Sequence, residues 1–131
     1  MTPRIINFPK IGGSDRGYLS VAEGDNLPFI PLRVYWTYYT PQSVERGGHA
    51  HFKLKQVLVA VSGEITVNLL GRDWDVTYVL DDPSKGLFIP EMYWRTLTYS
   101  HDAVQLVLAS NEYDTNDYTR NLEQFKVMIT G

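Results

Sequence analysis

The chain is expected to fold as an all-β protein, an antiparallel barrel or sandwich closed by one short C-terminal α-helix. Three observations predict this. Short runs rich in β-branched and aromatic residues follow one another with turn residues between them, the pattern of an antiparallel sandwich or barrel. Several of these runs alternate polar and apolar positions, as Glu64 to Leu69 does, and a period of two belongs to strands. Only near the end does the period change: Tyr118, Leu122, Phe125 and Ile129 stand four, three and four apart, the spacing of one helical face.

Taken in order, Arg4 to Phe8 is a β-like run ended by Pro9, and Gly12 to Gly17 has the composition of a tight turn. Tyr18 to Ala22 is a second short strand. Leu27 to Pro31 cannot be helical, because Pro28 and Pro31 fix their own φ and restrict the residue before each. Leu32 to Thr40 alternates, with Arg33, Tyr35, Thr37 and Tyr39 on one face and Val34, Trp36 and Tyr38 on the other. The first face is polar yet aromatic and suits the wall of a binding cavity. Glu45 to Gly63 is the centre of the chain. It carries His49 and His51, then the apolar run Val57 to Val61; with Ser62-Gly63 and the alternating segment that follows, it predicts a β-hairpin. Asp75 to Leu80, Leu87 to Pro90, Arg95 to Tyr99 and Ala103 to Ala109 are further strands, and Asp81 to Gly86 is a turn. The closing helix is expected to be capped by Thr115 or Asn116, with its four apolar residues serving as core.

At 131 residues the chain has room for one well-filled core, and no Gly-, Ser- or Pro-rich linker divides it. A single domain over residues 1–131 follows. A net charge of -3 without a basic block argues against nucleic acid or a membrane as partner. The absence of cysteine removes disulfides, thiolate catalysis and Cys-ligated metals. No segment approaches the ~18 apolar residues of a membrane span, and the first residues lack an apolar run of signal-peptide length. The expected location is the cytoplasm.

His49 and His51 are the candidate chemistry. On an extended strand, residues two apart point to the same side, so both imidazoles enter one cavity. The third histidine, His101, lies in a turn-like segment. The plain alternative is a pair of structural histidines bonded inside a barrel.

Two histidines one residue apart, a downstream Gly63 and a later Pro90 resemble the cupin family of small β-barrels. In that family a glutamate and a third histidine complete a metal site. Here Gln56 or Lys55 fills the glutamate position, Met92 stands where a glycine is usual, and Arg95 falls where the third histidine would be. A neutral amide is a weak substitute for carboxylate and a permanent guanidinium repels a cation, so no metal is expected and the histidines are left to handle protons. A closer resemblance covers almost the whole chain. Arg46-Gly-Gly-His49-Ala-His51, then Gln56, Gly63, Pro90, Trp94-Arg95, and Leu108-Ala109-Ser110-x-x-Tyr113-Asp114-x-x-Asp117-Tyr118-x-Arg120 are similar to the dTDP-4-keto-6-deoxyglucose 3,4-ketoisomerases. One departure is Phe52, where many relatives place a basic residue.

That resemblance implies a metal-free, cofactor-free cupin-type jelly roll. It also implies a homodimer in which N-terminal strands, here within residues 1–30, are exchanged between subunits, acting on a dTDP-linked 4-keto-6-deoxyhexose. Moving the ketone from carbon 4 to carbon 3 requires a base, an enediol and return of the proton. Histidine, with an ordinary pKa of ~6.5, can take and return a proton at neutral pH. His49 is assigned as the proton carrier, with His51 as a second acid/base or an orienter, and Tyr35 as the relay between the two oxygens. Arg95 is assigned to the diphosphate or to the enediolate charge, a salt bridge with Glu91 being the structural alternative. Arg33, Arg46 and Arg16 are candidates for the nucleotide, and Tyr18 or Trp94 for stacking on thymine. Three other functions compete. A 3,5-epimerase on the same substrate typically pairs its base histidine with an aspartate, and no aspartate lies near the pair in sequence. A non-catalytic nucleotide-sugar-binding cupin and a metal-dependent cupin oxygenase are the others.

Overall fold

A computed structural model describes residues 1–131. Its strands are β1 (Arg4–Asn7), β2 (Lys10–Gly13), β3 (Gly17–Ser20), β4 (Arg33–Tyr38), β5 (Arg46–His51), β6 (Gln56–Ser62), β7 (Ile65–Gly71), β8 (Trp74–Leu80), β9 (Lys85–Ile89), β10 (Trp94–Tyr99), β11 (Val104–Ala109) and β12 (Tyr118–Thr119), closed by helix α1 (Leu122–Thr130). Two five-stranded antiparallel sheets face each other, in the orders β1-β9-β6-β11-β4 and β12-β5-β10-β7-β8, and β2 and β3 form a separate hairpin. This is the antiparallel jelly roll with a C-terminal helix that the strand pattern predicts.

The sheets enclose a cluster of thirteen buried apolar residues, among them Leu58, Ala60, Val67, Leu69, Leu87 and Leu97. The outer face of the first sheet is covered too: Val57, Val59 and Phe88 pack with Ile6 and Phe8, and Leu27 and Phe29 from the proline-rich segment lie over them. Both faces of β6 are therefore dry from Gln56 to Ala60, which accounts for most of its apolar run.

That run is not half of a hairpin. β6 bonds to β9 and β11, whereas β7 bonds to β8 and β10. Both edges of β6 are already occupied, so Ser62-Gly63-Glu64 carries the chain from one sheet to the other. Gly63 has φ +70, and a Cβ there would stand 2.6 Å from the Cα of Ala103, so both the backbone angle and the close approach call for glycine. The Glu64 amide donates to Ser100 Oγ and the Ser100 amide donates to the Glu64 carbonyl, each at 2.9 Å. The tight two-residue hairpin lies instead between β7 and β8, with Asp73 at φ 54.

The C-terminal reading also shifts. Asp114, not Thr115 or Asn116, accepts from the Asn116 amide and caps a short turn over Thr115–Asp117. The helix begins later and is capped by Asn121, whose side chain accepts from the Gln124 amide at 3.0 Å. Tyr118 is therefore outside the helix, on β12, paired with His51 of β5. Phe125 is fully buried against Ala50 and Trp94, with Leu122 and Ile129 beside it.

Candidate active site

His49 and His51 leave β5 on the inner side of the second sheet, while Ala50 between them faces α1. The two rings meet edge to face, with centroids 4.9 Å apart and planes at 84°. Tyr118 lies over both, 5.0 Å from His49 and 4.4 Å from His51. Their surroundings differ. His51 is 1% exposed, and its Nδ1 lies 3.2 Å from the carbonyl oxygen of Asp117. A carbonyl only accepts, so Nδ1 carries the hydrogen and Nε2 keeps a free lone pair. His49 lines the cavity, and its buried Nδ1 has no protein partner.

The cavity has a volume of about 650 Å³ and is lined by Arg33, Tyr35, Arg46, Gly47, His49, Tyr113, Tyr118 and Arg120. Three guanidinium groups and no carboxylate form its wall, a composition suited to an anion. Arg120 lies 4.2 Å over the Tyr118 ring, and Arg33 sits between the rings of Tyr35 and Tyr113 at 5.1 and 5.6 Å. A smaller chamber of about 90 Å³ shares Tyr35, Arg46, Gly47 and His49 and adds Gln56, Arg95, Tyr99 and Gln105. Gly47, at φ +85, faces Arg95 so closely that a Cβ would meet its carbonyl oxygen at 2.6 Å.

Arg95 is 3% exposed. It donates to the Gln56 side-chain oxygen and, at 3.0 Å, to the Tyr93 carbonyl. Glu91 pairs with Lys55 at 3.5 Å instead, so no carboxylate forms an ion pair with the buried guanidinium, and the carboxylate whose charge reaches it is that of Asp117. Burial first, and the Arg95 charge second, lower His49 to about 4 and His51 to about 3. Both imidazoles are therefore neutral at pH 7, with a lone pair for a proton, but they are weaker bases than an exposed histidine. Burial also lowers Arg95, to about 10, which leaves it charged at neutral pH.

The residues do not fit the divalent metal that cupins usually hold. No three His, Cys, Asp or Glu side chains converge, and a buried guanidinium stands across the strand pair from His49. One carboxylate does reach the histidines. Asp117 Oδ2 is 3.7 Å from His51 Nδ1, although the sequence around the pair holds no aspartate. Its oxygens also accept the amides of Lys53 and Leu54 at 2.9 and 3.0 Å.

Of the residues expected from sequence, His49, Tyr35, Arg33 and Arg46 line the main cavity, Arg95 lines the inner chamber, and His51 stands behind His49. Trp94 is a correction. It is next to Arg95 on β10, and neighbours on a strand point to opposite faces. With Arg95 turned inward, Trp94 packs outward against Phe125 at 5.7 Å and is not available to stack on a base. Arg16 and Tyr18 belong to the β2–β3 hairpin, and Tyr18 lines another depression with Lys10, Ser20 and Asp82. The single chain does not bring them to the histidines. Tyr113, Asp117, Tyr118 and Arg120 were not singled out as site residues. Their signal in the sequence is their place in the segment that resembles the ketoisomerases, and the helical spacing sends Tyr118 to the core.

Comparison with known proteins agrees with this geometry. The family model described as FdtA: WxcM-like, C-terminal, matches residues 1–130. A TDP-4-oxo-6-deoxy-alpha-D-glucose-3,4-oxoisomerase from Aneurinibacillus thermoaerophilus is 38% identical over 130 residues, 98% of this chain and 94% of that one. The sugar 3,4-ketoisomerase QdtA from Thermoanaerobacterium thermosaccharolyticum, solved in complex with TDP, superposes with a TM-score of 0.93 at 34% identity, over 98% of this chain and 95% of that one. A 3,4-ketoisomerase from Helicobacter canadensis gives a TM-score of 0.93 at 35% identity, over 100% and 99% of the two chains. Sharing the family model over nearly its full length and a fold that superposes on these isomerases, the chain belongs to the FdtA family of WxcM-like C-terminal domains.

Proposed function

We propose that the chain is a sugar-nucleotide 3,4-ketoisomerase that converts TDP-4-keto-6-deoxyglucose into the corresponding 3-keto-6-deoxyhexose. The observation that carries this reading is a neutral histidine, His49, opening into a cavity walled by Arg33, Arg46 and Arg120 with Tyr35 alongside. It is supported by relatives named as TDP-sugar 3,4-isomerases. The arginines hold the diphosphate and the tyrosine rings offer a surface for the sugar or base.

In the reaction His49 takes the proton from carbon 3, and the electron pair forms the carbon 3–carbon 4 double bond of an enediolate. Tyr35 gives its hydroxyl proton to the oxygen on carbon 4 and regains one from the oxygen on carbon 3. His49 then returns its proton to carbon 4, so that no atom is gained or lost. Arg95, buried beneath and without an ion-pair partner, offsets the negative charge that develops on the enediolate. His51, donating from Nδ1 to the Asp117 carbonyl, fixes the position of the His49 ring.

We also assign the chain to one domain working as a homodimer. The outer face of β4 exposes Val34, Trp36 and Tyr38, and the β2–β3 hairpin exposes Ile11 and Leu19. An arm from one subunit lying on the other would cover this apolar surface and carry Arg16 and Tyr18 toward the partner's cavity. A doubly charged sugar nucleotide does not cross a bilayer unaided, which supports a location in the compartment that makes it, the cytoplasm. No helix is long and apolar enough to cross a membrane.

The test is incubation with TDP-4-keto-6-deoxyglucose and proton NMR of the product. The ketone is expected at carbon 3, and His49→Asn is expected to lose at least ~100-fold in kcat while TDP affinity changes little. A second reading, a 3,5-epimerase, is favoured by one observation, the approach of Asp117 to His51. A product that keeps its ketone at carbon 4 with inverted neighbours would establish that reading instead. Binding with no deuterium uptake from heavy water would mark a non-catalytic nucleotide-sugar protein.

A further inference from the structure

Gln56 occupies the position where cupins usually carry a carboxylate, and its place in the chain of hydrogen bonds gives it a direction. Its backbone is held between β9 and β11, and its side chain is 3% exposed. On one side stands the Arg95 guanidinium, which can only donate. The amide oxygen must therefore face Arg95, and the amide nitrogen must face the other way. That nitrogen donates to the Tyr35 hydroxyl at 3.0 Å. The hydroxyl oxygen accepts there, so its own hydrogen points elsewhere, and Tyr35 borders both the main cavity and the inner chamber.

We propose that Gln56 is a positioning residue: its neutral amide turns the Tyr35 O–H into the cavity as a proton donor and leaves Arg95 as a positive charge with no carboxylate paired to it. Asp117 acts on that charge only through space. A glutamate at the same place would reverse both effects. Its carboxylate would accept from Arg95 and from Tyr35 together, cancelling the charge and drawing the tyrosine proton away from the substrate. The amide thus holds the site ready for an oxyanion that has not yet formed, and the cost is a buried guanidinium without an ion-pair partner. This inference rests on the ketoisomerase reading for its effect on rate, but not for its effect on charge.

Gln56→Glu and Gln56→Met separate this role from simple packing. Because the carboxylate supplies a missing counter-ion, Gln56→Glu is expected to melt at or above the wild-type temperature, yet to lose ~100-fold or more in kcat with TDP affinity within about threefold. Gln56→Met leaves Arg95 charged and Tyr35 free to turn, so it is expected to melt lower and lose only about tenfold in kcat. Between the two variants, activity and stability then rank in opposite orders. If kcat follows Tm across the three proteins, or if Gln56→Glu fails to fold or keeps its full kcat, the proposal is wrong.

A ligand-free NMR titration provides a second readout. His49 faces Arg95 and Tyr99 on β10, Arg120 beyond β12, Arg46 and His51 on β5, Tyr118 on β12, Tyr113 before it, and Arg33 and Tyr35 on β4. Of these groups only Arg95 gains a counter-ion in Gln56→Glu, so the imidazole is expected to titrate at higher pH than in wild type. An unmoved imidazole overturns the charge half of the proposal whatever the enzyme's substrate. Wild-type protein that fails to isomerise TDP-4-keto-6-deoxyglucose counts against the ketoisomerase reading alone, and the Tm order and the titration then decide this one.

Discussion

His49 and His51 share a strand face but not a depth. His51 is sealed behind His49 and spends its Nδ1 hydrogen on a carbonyl, whereas His49 reaches the cavity. Both are held neutral, first by burial and then by Arg95, at about 4 and about 3. Because kcat/KM reports the ionisation of the free enzyme, its acid limb is expected near pH 4 and not near 6.5. A limb near 6.5 would mean that the catalytic imidazole is exposed. The same shifts act on stability. The folded protein binds these protons less readily than the unfolded chain, so their contribution is complete above about pH 6.5 and is lost as the pH falls toward the folded values. Unfolding free energies from denaturant titrations at pH 7 and pH 5 should differ by about 2 kcal/mol through His51 alone, and His51→Asn should flatten that slope.

At the level of elements, the position of the histidines depends on what lies behind them. β5 carries its imidazoles inward because Ala50 and Trp94 are pinned outward beneath α1, where Phe125 fills the gap with no exposed surface. Phe125→Ala is expected to cost about 3–5 kcal/mol, read as a drop in Tm, and to loosen β5 enough that kcat falls although the substitution touches no substrate. An unchanged Tm would show that α1 is dispensable. The loop after β9 supports the same strand, since the Met92 amide donates to the His51 carbonyl at 2.8 Å. Met92 adopts φ 63 there, a left-handed angle unusual for a side chain with a Cβ, at the position where the cupin pattern has glycine.

On the scale of the whole molecule, the apolar core is closed and the uncovered apolar surface is outside. The core between the sheets and the layers under α1 and the proline-rich segment are dry, yet β4 presents an apolar outer face, with Trp36 61% exposed. Monomers rarely leave such a stripe uncovered. Trp36→Asp is expected to shift the protein from dimer to monomer in light scattering after size-exclusion chromatography. If the hairpin arm serves the partner's cavity, TDP affinity should fall along with the dimer. A wild-type monomer at micromolar concentration with full activity would refute the dimer.

Residue order alone determined the fold class, the shared face of His49 and His51, the polar face of β4 and the loss of the usual metal ligands, because strand periodicity and side-chain chemistry are local properties. It misplaced the β6–β7 connection, since pairing partners depend on which edges are already taken, and it put Tyr118 in the helix because the Asp114 and Asn121 caps compete with a four-residue repeat. Trp94 could have been turned away from the cavity by its alternation with Arg95. Tertiary structure decided the rest. Asp117, Tyr118 and Arg120 reach the histidines only because β12 pairs with β5, and the depressed basicity of the imidazoles comes from burial and from a guanidinium on a strand more than forty residues away in sequence, as the positions of His49 and Arg95 show.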